Sequence, residues 1–467
     1  MYIIFIAVYL LILVIFAFYK KKDIKGSDDF SVAGRKLSAF VLVTTLLAGW
    51  IGSGTLIAGA EFTYKQGLAG LWMPAGGWVG IFIMYFISKK IRRVELYTAP
   101  DILGHFYNDL ARFLGSITII VAYTAIVAYQ FRAGGIVLEL VTDLPYERGV
   151  LLTAIFVITY TSVAGMISVA YTDIINGWLI IITSVISLIV LTINGGGWHH
   201  IIAQIQQSDP QKLTIFGHIN FIEVLGYFIP TLALLLGEAS MYQKFFSAKN
   251  ERHVKMATLG WIIGTIIVES VFVLMAFISS SMYSLEDLNN RPESIILYTA
   301  RHAMPVLFGS LLLAGSVAIL LSTADAFLLA PATSFVKDIY QKYFRKKAKQ
   351  DELVFISRIS VILLGILAYI QISFFKSVLS MAMYAYTMYG ASLTPAILAA
   401  LLMKKVNPVA ATSSIIVGML STMFFEYYSI LTGYKILNLP TVIPALILSV
   451  STLLILNTLM RKKDITY

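Results

Sequence analysis

The chain has 467 residues, of which 58% are hydrophobic and only 13% are charged, and its mean hydropathy is +0.82. Soluble globular proteins are about half apolar and about a quarter charged, so this composition excludes that class. Apolar stretches of about 20 residues recur from one end of the sequence to the other, which predicts an all-α polytopic membrane protein in a lipid bilayer.

The formal net charge of +10 does not indicate a nucleic-acid partner. The lysines and arginines cluster in short segments between the apolar stretches, and this positive-inside pattern reports the orientation of a membrane protein. No cysteine is present, which excludes disulfides and thiol chemistry. The first apolar stretch has no basic residues before it and no small-residue cleavage site after it, so we interpret it as a retained span rather than a signal peptide.

Hydropathy predicts about thirteen transmembrane helices. In chain order they cover residues 2–19, 38–64, 67–88, 112–140, 146–164, 168–194, 221–246, 255–281, 303–336, 353–374, 378–403, 408–425 and 441–460. A tight turn at Gly165 joins the fifth and sixth spans. Basic clusters follow odd-numbered spans, which predicts a plasma-membrane protein with its N-terminus outside and its C-terminus in the cytoplasm.

The second span contains a stretch that is a poor helix. Gly49, Gly52 and Gly54 lie within residues 48–55, and each weakens a helix by about 1 kcal/mol relative to alanine. Carbonyl groups freed at mid-membrane are tolerated where they line a protein cavity or hold a ligand. The alternative is that these small residues only allow neighbouring helices to pack closely.

The seventh span has a similar weak point, formed by Pro230 and residues 236–240. Two interrupted helices at matching positions, five spans apart, predict an inverted repeat with a binding site at its pseudo-axis. The alternative is that proline and glycine are common in membrane helices of every kind.

Ionisable residues within spans are candidates for functional sites. They are Asp173, Glu238, Glu269 and Asp325, with Arg132 in the outer half of the fourth span. For Glu269 the alternative is that it only pairs with a neighbouring span.

The richest polar cluster is in the ninth span. Ser322 and Asp325 share one helical face, and Thr323 lies beside it. Two hydroxyls and a carboxylate that face the freed carbonyls of the second span would form an all-oxygen site, which suits a small hard cation. The alternative is that the two hydroxyls bond back to carbonyls of their own helix.

Seven stretches together resemble the sodium/solute symporter family, the group that contains the sodium-coupled sugar, proline, pantothenate, sialic acid and choline transporters. They are DFSVAGR (29–35), AGWIGSG (48–54), YKQG (64–67), SVAYTD (168–173), QKFFSAK (243–249), LSTAD (321–325) and KDIY (337–340). Their order and spacing are similar to those of the family over residues 28–405.

The resemblance implies a leucine-transporter-type fold with two inverted five-helix repeats and alternating access. It implies a single transporter domain over residues 1–467. Residues 1–37 would form an extra helix and loop, 38–194 and 221–403 the two repeats, and 404–467 two extra helices.

The resemblance also implies a sodium site. Its ligands would be the carbonyls of Ala48, Ile51 and Ile319 and the hydroxyls of Ser322 and Thr323. This set agrees with the oxygen site expected from the residues themselves.

Some family members have a second cation site, built from an aspartate that matches Asp173 and two hydroxyls. Here the hydroxyl positions are Asp325 and Ala326, so the pattern differs. Two close carboxylates could bind a second cation, or one could stay protonated, and Asp325 would then supply proton sensitivity.

Substrate contacts are expected beside the broken helices, at Trp50, Thr55 and Glu238, with Arg132 from the fourth span. An arginine and a glutamate in one pocket suit a small carboxylate or a zwitterion, although the two could instead pair with each other. Thr265 stands where the animal sugar transporters have a lysine, which argues against a sugar.

The resemblance implies sodium-coupled symport of a small-molecule substrate. A proton-coupled transporter and a non-transporting solute sensor with the same fold are the alternatives. No catalytic motif or soluble catalytic domain is present, so an enzyme is not expected. Nothing in the sequence indicates an obligate protein partner.

Overall fold

The computed structural model describes residues 2–21, 26–142, 144–375, 377–433 and 436–463, and these residues are mainly helical. The predicted basic cluster that follows the first span lies partly outside these ranges. The helices are α1 (Tyr2–Lys21), α2 (Ser27–Val32), α3 (Ala39–Trp50), α4 (Ala60–Gln66), α5 (Trp72–Val94), α6 (Ala99–Phe106), α7 (Asp109–Thr142), α8 (Tyr146–Asn194), α9 (Trp198–Ser208), α10 (Phe221–Gly237), α11 (Ala239–Ser247), α12 (Glu251–Met282), α13 (Ile295–His302), α14 (Val306–Ser334), α15 (Gln350–Gln371), α16 (Val378–Ser392), α17 (Thr394–Leu402), α18 (Pro408–Thr432) and α19 (Val442–Lys463).

Ten helical stretches in the described ranges are long and apolar enough to cross a membrane. They are Gly54–Val94, Asp109–Thr142, Ser168–Asn194, Phe221–Ser247, Glu251–Met282, Val306–Phe344, Gln350–Phe374, Val378–Leu402, Pro408–Ser429 and Val442–Met460. Tyr2–Phe16 and Ala39–Trp50 are shorter apolar helices. The predicted class of an all-helical multi-pass protein is confirmed, while the count of thirteen spans stays a prediction.

The sharp turn expected at Gly165 interrupts α8. Gly165 has φ 66° and ψ 171°, a conformation that strongly favours glycine because it has no Cβ atom. The residues of the predicted fifth and sixth spans are therefore the parts of α8 before and after this kink.

The helix of the second predicted span breaks where the sequence indicates. The last backbone bond of α3 joins the Ile51 amide to the Leu47 carbonyl, and Ile51 has φ −72° and ψ 98°. A π-helical turn, Gly54–Gly59, follows before α4. The carbonyls of Ala48 and Ile51 therefore lie beyond the regular bonding of α3.

A second break separates α10 from α11 at Glu238, which has φ −59° and ψ 114°. Tyrosine hydroxyls pair with the backbone groups exposed by this break. Tyr389 donates to the Gly237 carbonyl at 2.5 Å, and the Tyr123 hydroxyl accepts from the Ala239 amide at 2.6 Å. These bonds satisfy buried backbone groups that would otherwise be costly to desolvate.

Helix α14 lies at the centre of the molecule and packs against α3, α7 and α8. Every residue from 318 to 334 is buried, as expected for a helix that is apolar on all sides. The polar residues of α14 therefore face other helices rather than lipid, directly opposite the break that follows α3.

Candidate cation and substrate site

Thr323 on α14 contacts the break that follows α3. Its hydroxyl donates to the Ile51 carbonyl at 3.2 Å. A Cβ atom built on Gly52 would lie 2.7 Å from both Oγ1 and Cγ2 of Thr323, so only glycine allows this approach without rearrangement. The freed carbonyl and the α14 hydroxyl are thus neighbours, as the sequence predicts.

Asp173 on α8 joins the same cluster. It accepts one hydrogen bond from the Ser322 hydroxyl and one from the Thr45 hydroxyl, both at 2.5 Å. All three residues are buried. Helices α3, α8 and α14 therefore meet around a compact set of oxygen atoms.

The hydroxyls of Ser322 and Thr323 form hydrogen bonds to parts of the chain outside α14. The hydrogen bonds of these two side chains go to α8 and to the break after α3, and within the described chain neither goes to a carbonyl of α14. The alternative that they bond back to their own helix is therefore wrong for this structure. Ala48 and Ile319, the other two predicted sodium ligands, are buried about one turn earlier on α3 and α14.

Asp325, one turn after Ser322, is also buried and accepts a hydrogen bond from the Thr161 hydroxyl of α8. Asp173 and Asp325 thus both lie between α8 and α14, but each is bonded to different hydroxyl groups.

Lys244 on α11 is a buried cation that the sequence analysis did not single out as functional. Its ammonium group donates to the Thr45 carbonyl at 2.7 Å, and a Cβ atom on Gly49 would lie only 2.0 Å from Nζ. Asp173, Glu238 and Asp325 are the carboxylates that attract it. Its position five residues before Lys249, the predicted cytoplasmic lysine at the end of the QKFFSAK stretch, gave no sign of burial.

A cavity adjoins the break on the side of α12, and its empty space, which includes the open mouth, is about 530 Å³. Its lining residues are Trp50, Gly52, Gly54, Thr55, Gly59, Met73, Pro74, Tyr129, Thr231, Leu234, Glu269, Val273, Thr323, Phe327 and Tyr386. Two of the four predicted substrate contacts, Trp50 and Thr55, are among them.

Glu269 is the one carboxylate among the described lining residues. It is one of the ionisable candidates named from the sequence, with pairing to a neighbouring span as the alternative. Its carboxylate accepts hydrogen bonds from Trp50 Nε1 at 3.1 Å, Trp78 Nε1 at 2.6 Å and Thr55 Oγ1 at 3.3 Å. The residue is only 3% exposed. Its charge within a span marks it as a candidate, but its contacts with the break could not be read from the sequence.

Arg132 and Glu238, the other two predicted substrate contacts, are absent from the described lining of this cavity. Arg132 donates through Nε to the Tyr146 hydroxyl and through Nη1 to the Phe375 carbonyl, both at 3.2 Å. Glu238 is buried at the junction of α10 and α11. The structure therefore brings Trp50 and Thr55 together but does not bring these two residues to them.

Two interrupted membrane helices and a buried oxygen cluster beside a cavity are features of a membrane transport protein. A family model described as the sodium:solute symporter family matches residues 30–418. The chain belongs to the sodium:solute symporter family, whose members are transporters and not enzymes.

The sodium/proline symporters of Staphylococcus aureus strains JH9 and NCTC 8325 are similar to this chain. Each is 29% identical over 488 residues, which covers 98% of this chain and 93% of the relative. The likeness therefore extends over nearly the whole length of both proteins.

Two solved structures are similar in fold. A substrate-bound, outward-open Na+-coupled sialic acid symporter matches with a TM-score of 0.81 and 16% identity, over 98% of both chains. Mhp1, a nucleobase-cation-symport-1 family transporter, matches in a closed conformation with a TM-score of 0.59 and 11% identity, over 92% of this chain and 95% of Mhp1. At these identities the likeness shows the fold alone, which is that of leucine-transporter-like proteins.

Proposed function

We propose that this protein is a sodium-coupled symporter that moves a small polar organic solute across the plasma membrane by alternating access. The observation that carries the proposal is the bond between the Thr323 hydroxyl and the Ile51 carbonyl, because it puts two hard oxygen ligands together at a helix break. Oxygen ligands suit a small cation, and irregular backbone inside a membrane is tolerated where it lines a ligand site.

Sodium would be held by the carbonyls of Ala48, Ile51 and Ile319 and by the hydroxyls of Ser322 and Thr323. In that position the ion would join the break after α3 to α14. The Ser322 hydroxyl now donates to Asp173, and it can keep that bond while its oxygen faces the ion.

Sodium and solute binding would be coupled because the proposed sodium site and the cavity share residues that are close together in the sequence. Trp50 and Thr55, which line the cavity, flank the proposed sodium ligand Ile51 on the same broken helix. An ion that fixes the break would also fix the cavity wall, so sodium and solute would stabilise the same conformation. The effect is reciprocal, because each ligand raises the affinity for the other by the same factor.

The break at Ile51 and the break at Glu238 also support the proposed repeats, 38–194 and 221–403. We propose about thirteen spans with the N-terminus outside and the C-terminus in the cytoplasm.

Asp173 and Asp325 are proposed as a second cation site or a proton site. Proton coupling is the second candidate function, and the buried carboxylates on α8 and α14 are the observation that favours it.

The substrate is proposed to be a small carboxylate or a zwitterion, and the sodium/proline symporters among the relatives support the zwitterion. Trp50 and Thr55 are its proposed contacts, while the roles of Arg132 and Glu238 stay predictions.

The proposal is tested by reconstituting the purified protein in liposomes and measuring uptake of radiolabelled amino acids, carboxylates, sugars and quaternary amines, with and without an inward sodium gradient. The test variant combines Ser322→Ala and Thr323→Ala. The matched control combines Ser310→Ala and Ser316→Ala, whose hydroxyls bond to carbonyls of α14 itself.

We expect sodium-stimulated uptake of one solute class in the wild type and in the control, and its loss in the test variant. Uptake that is driven by a pH gradient alone, and that is unchanged in the test variant, would contradict sodium coupling and favour proton coupling.

A further inference from the structure

The carboxylate of Glu269 is held in a fixed orientation at the cavity. Three donors from two other helices and the break reach it, namely the indoles of Trp50 and Trp78 and the hydroxyl of Thr55. Trp50 is itself positioned by an edge-to-face contact with the buried Trp261, with ring centroids 6.3 Å apart. Such a network holds the carboxylate for recognition rather than leaving it to rotate.

This carboxylate has no protein counter-charge in the described part of the chain. Its described hydrogen-bond donors are Trp50, Trp78 and Thr55, and all three are neutral. The other described residues of the cavity lining are uncharged as well. An ionised carboxylate is expensive to bury without a cation, so a ligand that brings a positive charge would stabilise the ionised form of Glu269.

Aromatic rings form much of the remaining cavity wall. Trp50, Tyr129, Phe327 and Tyr386 all line it, and the Tyr129 and Tyr386 hydroxyls lie 3.4 Å apart. The faces of such rings attract ammonium groups within about 6 Å of the ring centroid. A carboxylate together with aromatic rings therefore favours a nitrogen cation over a sugar or a simple carboxylate.

We propose that Glu269 binds the ammonium group of the transported solute, so that the substrate is a small zwitterion or organic cation with a positively charged nitrogen. This inference rests on the proposed symport function. It assigns the recognition role to a residue on α12. Trp50, which donates to Glu269, directly precedes the proposed sodium ligand Ile51, so the ammonium site and the sodium site share one segment of backbone.

The test uses solutes that differ in the ammonium group. L-Proline and glycine betaine carry a positive nitrogen and a carboxylate, choline carries the nitrogen alone, and cyclopentanecarboxylate resembles proline without it. Equilibrium binding of each radiolabelled solute to the purified full-length protein is measured alongside sodium-driven uptake into liposomes. The variants are Glu269→Gln, which keeps the size of the side chain, and Glu61→Gln as a control.

Glu61 is a suitable control because it is an equally buried glutamate that already has a cation partner. It is 3% exposed and pairs with Lys65 at 2.7 Å. Both variants remove one buried negative charge, but only one removes it from the cavity.

We expect at least one of the three solutes with a positive nitrogen to bind, and we expect that cyclopentanecarboxylate does not compete with it. Glu269→Gln should weaken that binding by about 10- to 100-fold, as for loss of a hydrogen bond to a charged group, and Glu61→Gln should not. Binding of radiolabelled sodium to Glu269→Gln should remain, which shows that the variant is folded.

Three results would overturn the inference. The first is binding of cyclopentanecarboxylate as tight as that of the solutes with a positive nitrogen, and the second is unchanged binding in Glu269→Gln. The third is that none of the three solutes with a positive nitrogen binds to the wild type; sodium-driven uptake of another solute class would then leave symport standing. If a solute binds through Glu269 but sodium does not drive its uptake, symport fails and the ammonium site stands.

Discussion

Replacing Gly52 with alanine is expected to weaken sodium binding although Gly52 is not itself a proposed ligand. The new Cβ atom would lie 2.7 Å from Oγ1 and Cγ2 of Thr323, whereas ordinary contacts begin at 3.4 Å. The break and α14 must then separate by about 0.7 Å, and overpacking of this kind costs about 1–3 kcal/mol. If that cost falls on the sodium-bound conformation, the affinity for sodium falls by about 5- to 150-fold.

The assay is the sodium concentration that gives half-maximal uptake in liposomes, with binding of radiolabelled sodium as a direct check. Gly177→Ala is the matched control, because Gly177 is a buried glycine within α8 whose added Cβ would have its nearest contact, Thr44, at an ordinary 3.5 Å. Adding Thr323→Ser to Gly52→Ala removes Cγ2 and should recover part of the lost affinity. A folded Gly52→Ala protein with wild-type sodium dependence would refute the proposed contact between the break and α14.

Three further substitutions test other parts of the structure. Asp173→Asn weakens the acceptor for the Ser322 hydroxyl and removes a negative charge near the proposed sodium site. The half-maximal sodium concentration should therefore rise at least tenfold, which corresponds to about 1.4 kcal/mol of binding free energy, and an unchanged value would place Asp173 outside the site. Tyr389→Phe removes the donor to the Gly237 carbonyl and should lower the stability of the purified protein by about 1–3 kcal/mol. The measurement is the loss of monodisperse protein on heating, and equal stability would show that water replaces the hydroxyl. Lys244→Gln removes a positive charge next to the break and should raise the apparent sodium affinity several-fold, because a charge that repels sodium is lost. A lower affinity in folded protein would show that the ammonium group is needed to keep the sodium ligands in position.

The membrane class and the two breaks were predictable because they depend on local properties of the chain. Hydropathy identifies apolar spans, and the glycines around Gly52 weaken a helix whatever its neighbours are. Gly165 marks a turn for the same reason, since its φ of 66° is unfavourable for other residues. The pairing of Thr323 with the break was predictable as well, because polar side chains on a buried helix need partners.

The roles of Glu269 and Lys244 were not predictable, because each depends on contacts between distant parts of the chain. Glu269 is joined to Trp78, 191 residues away, and to Trp50, 219 residues away. Lys244 is joined to a carbonyl 199 residues away. A sequence read one span at a time gives the charge of such a residue but not the cavity that it faces.

The most direct test of the account is equilibrium binding of radiolabelled sodium to the purified protein. The account predicts saturable binding to the wild type and to the Ser310→Ala, Ser316→Ala control, and its loss when Ser322 and Thr323 are both replaced by alanine. Equal sodium binding by all three proteins would contradict a sodium site between the break after α3 and helix α14.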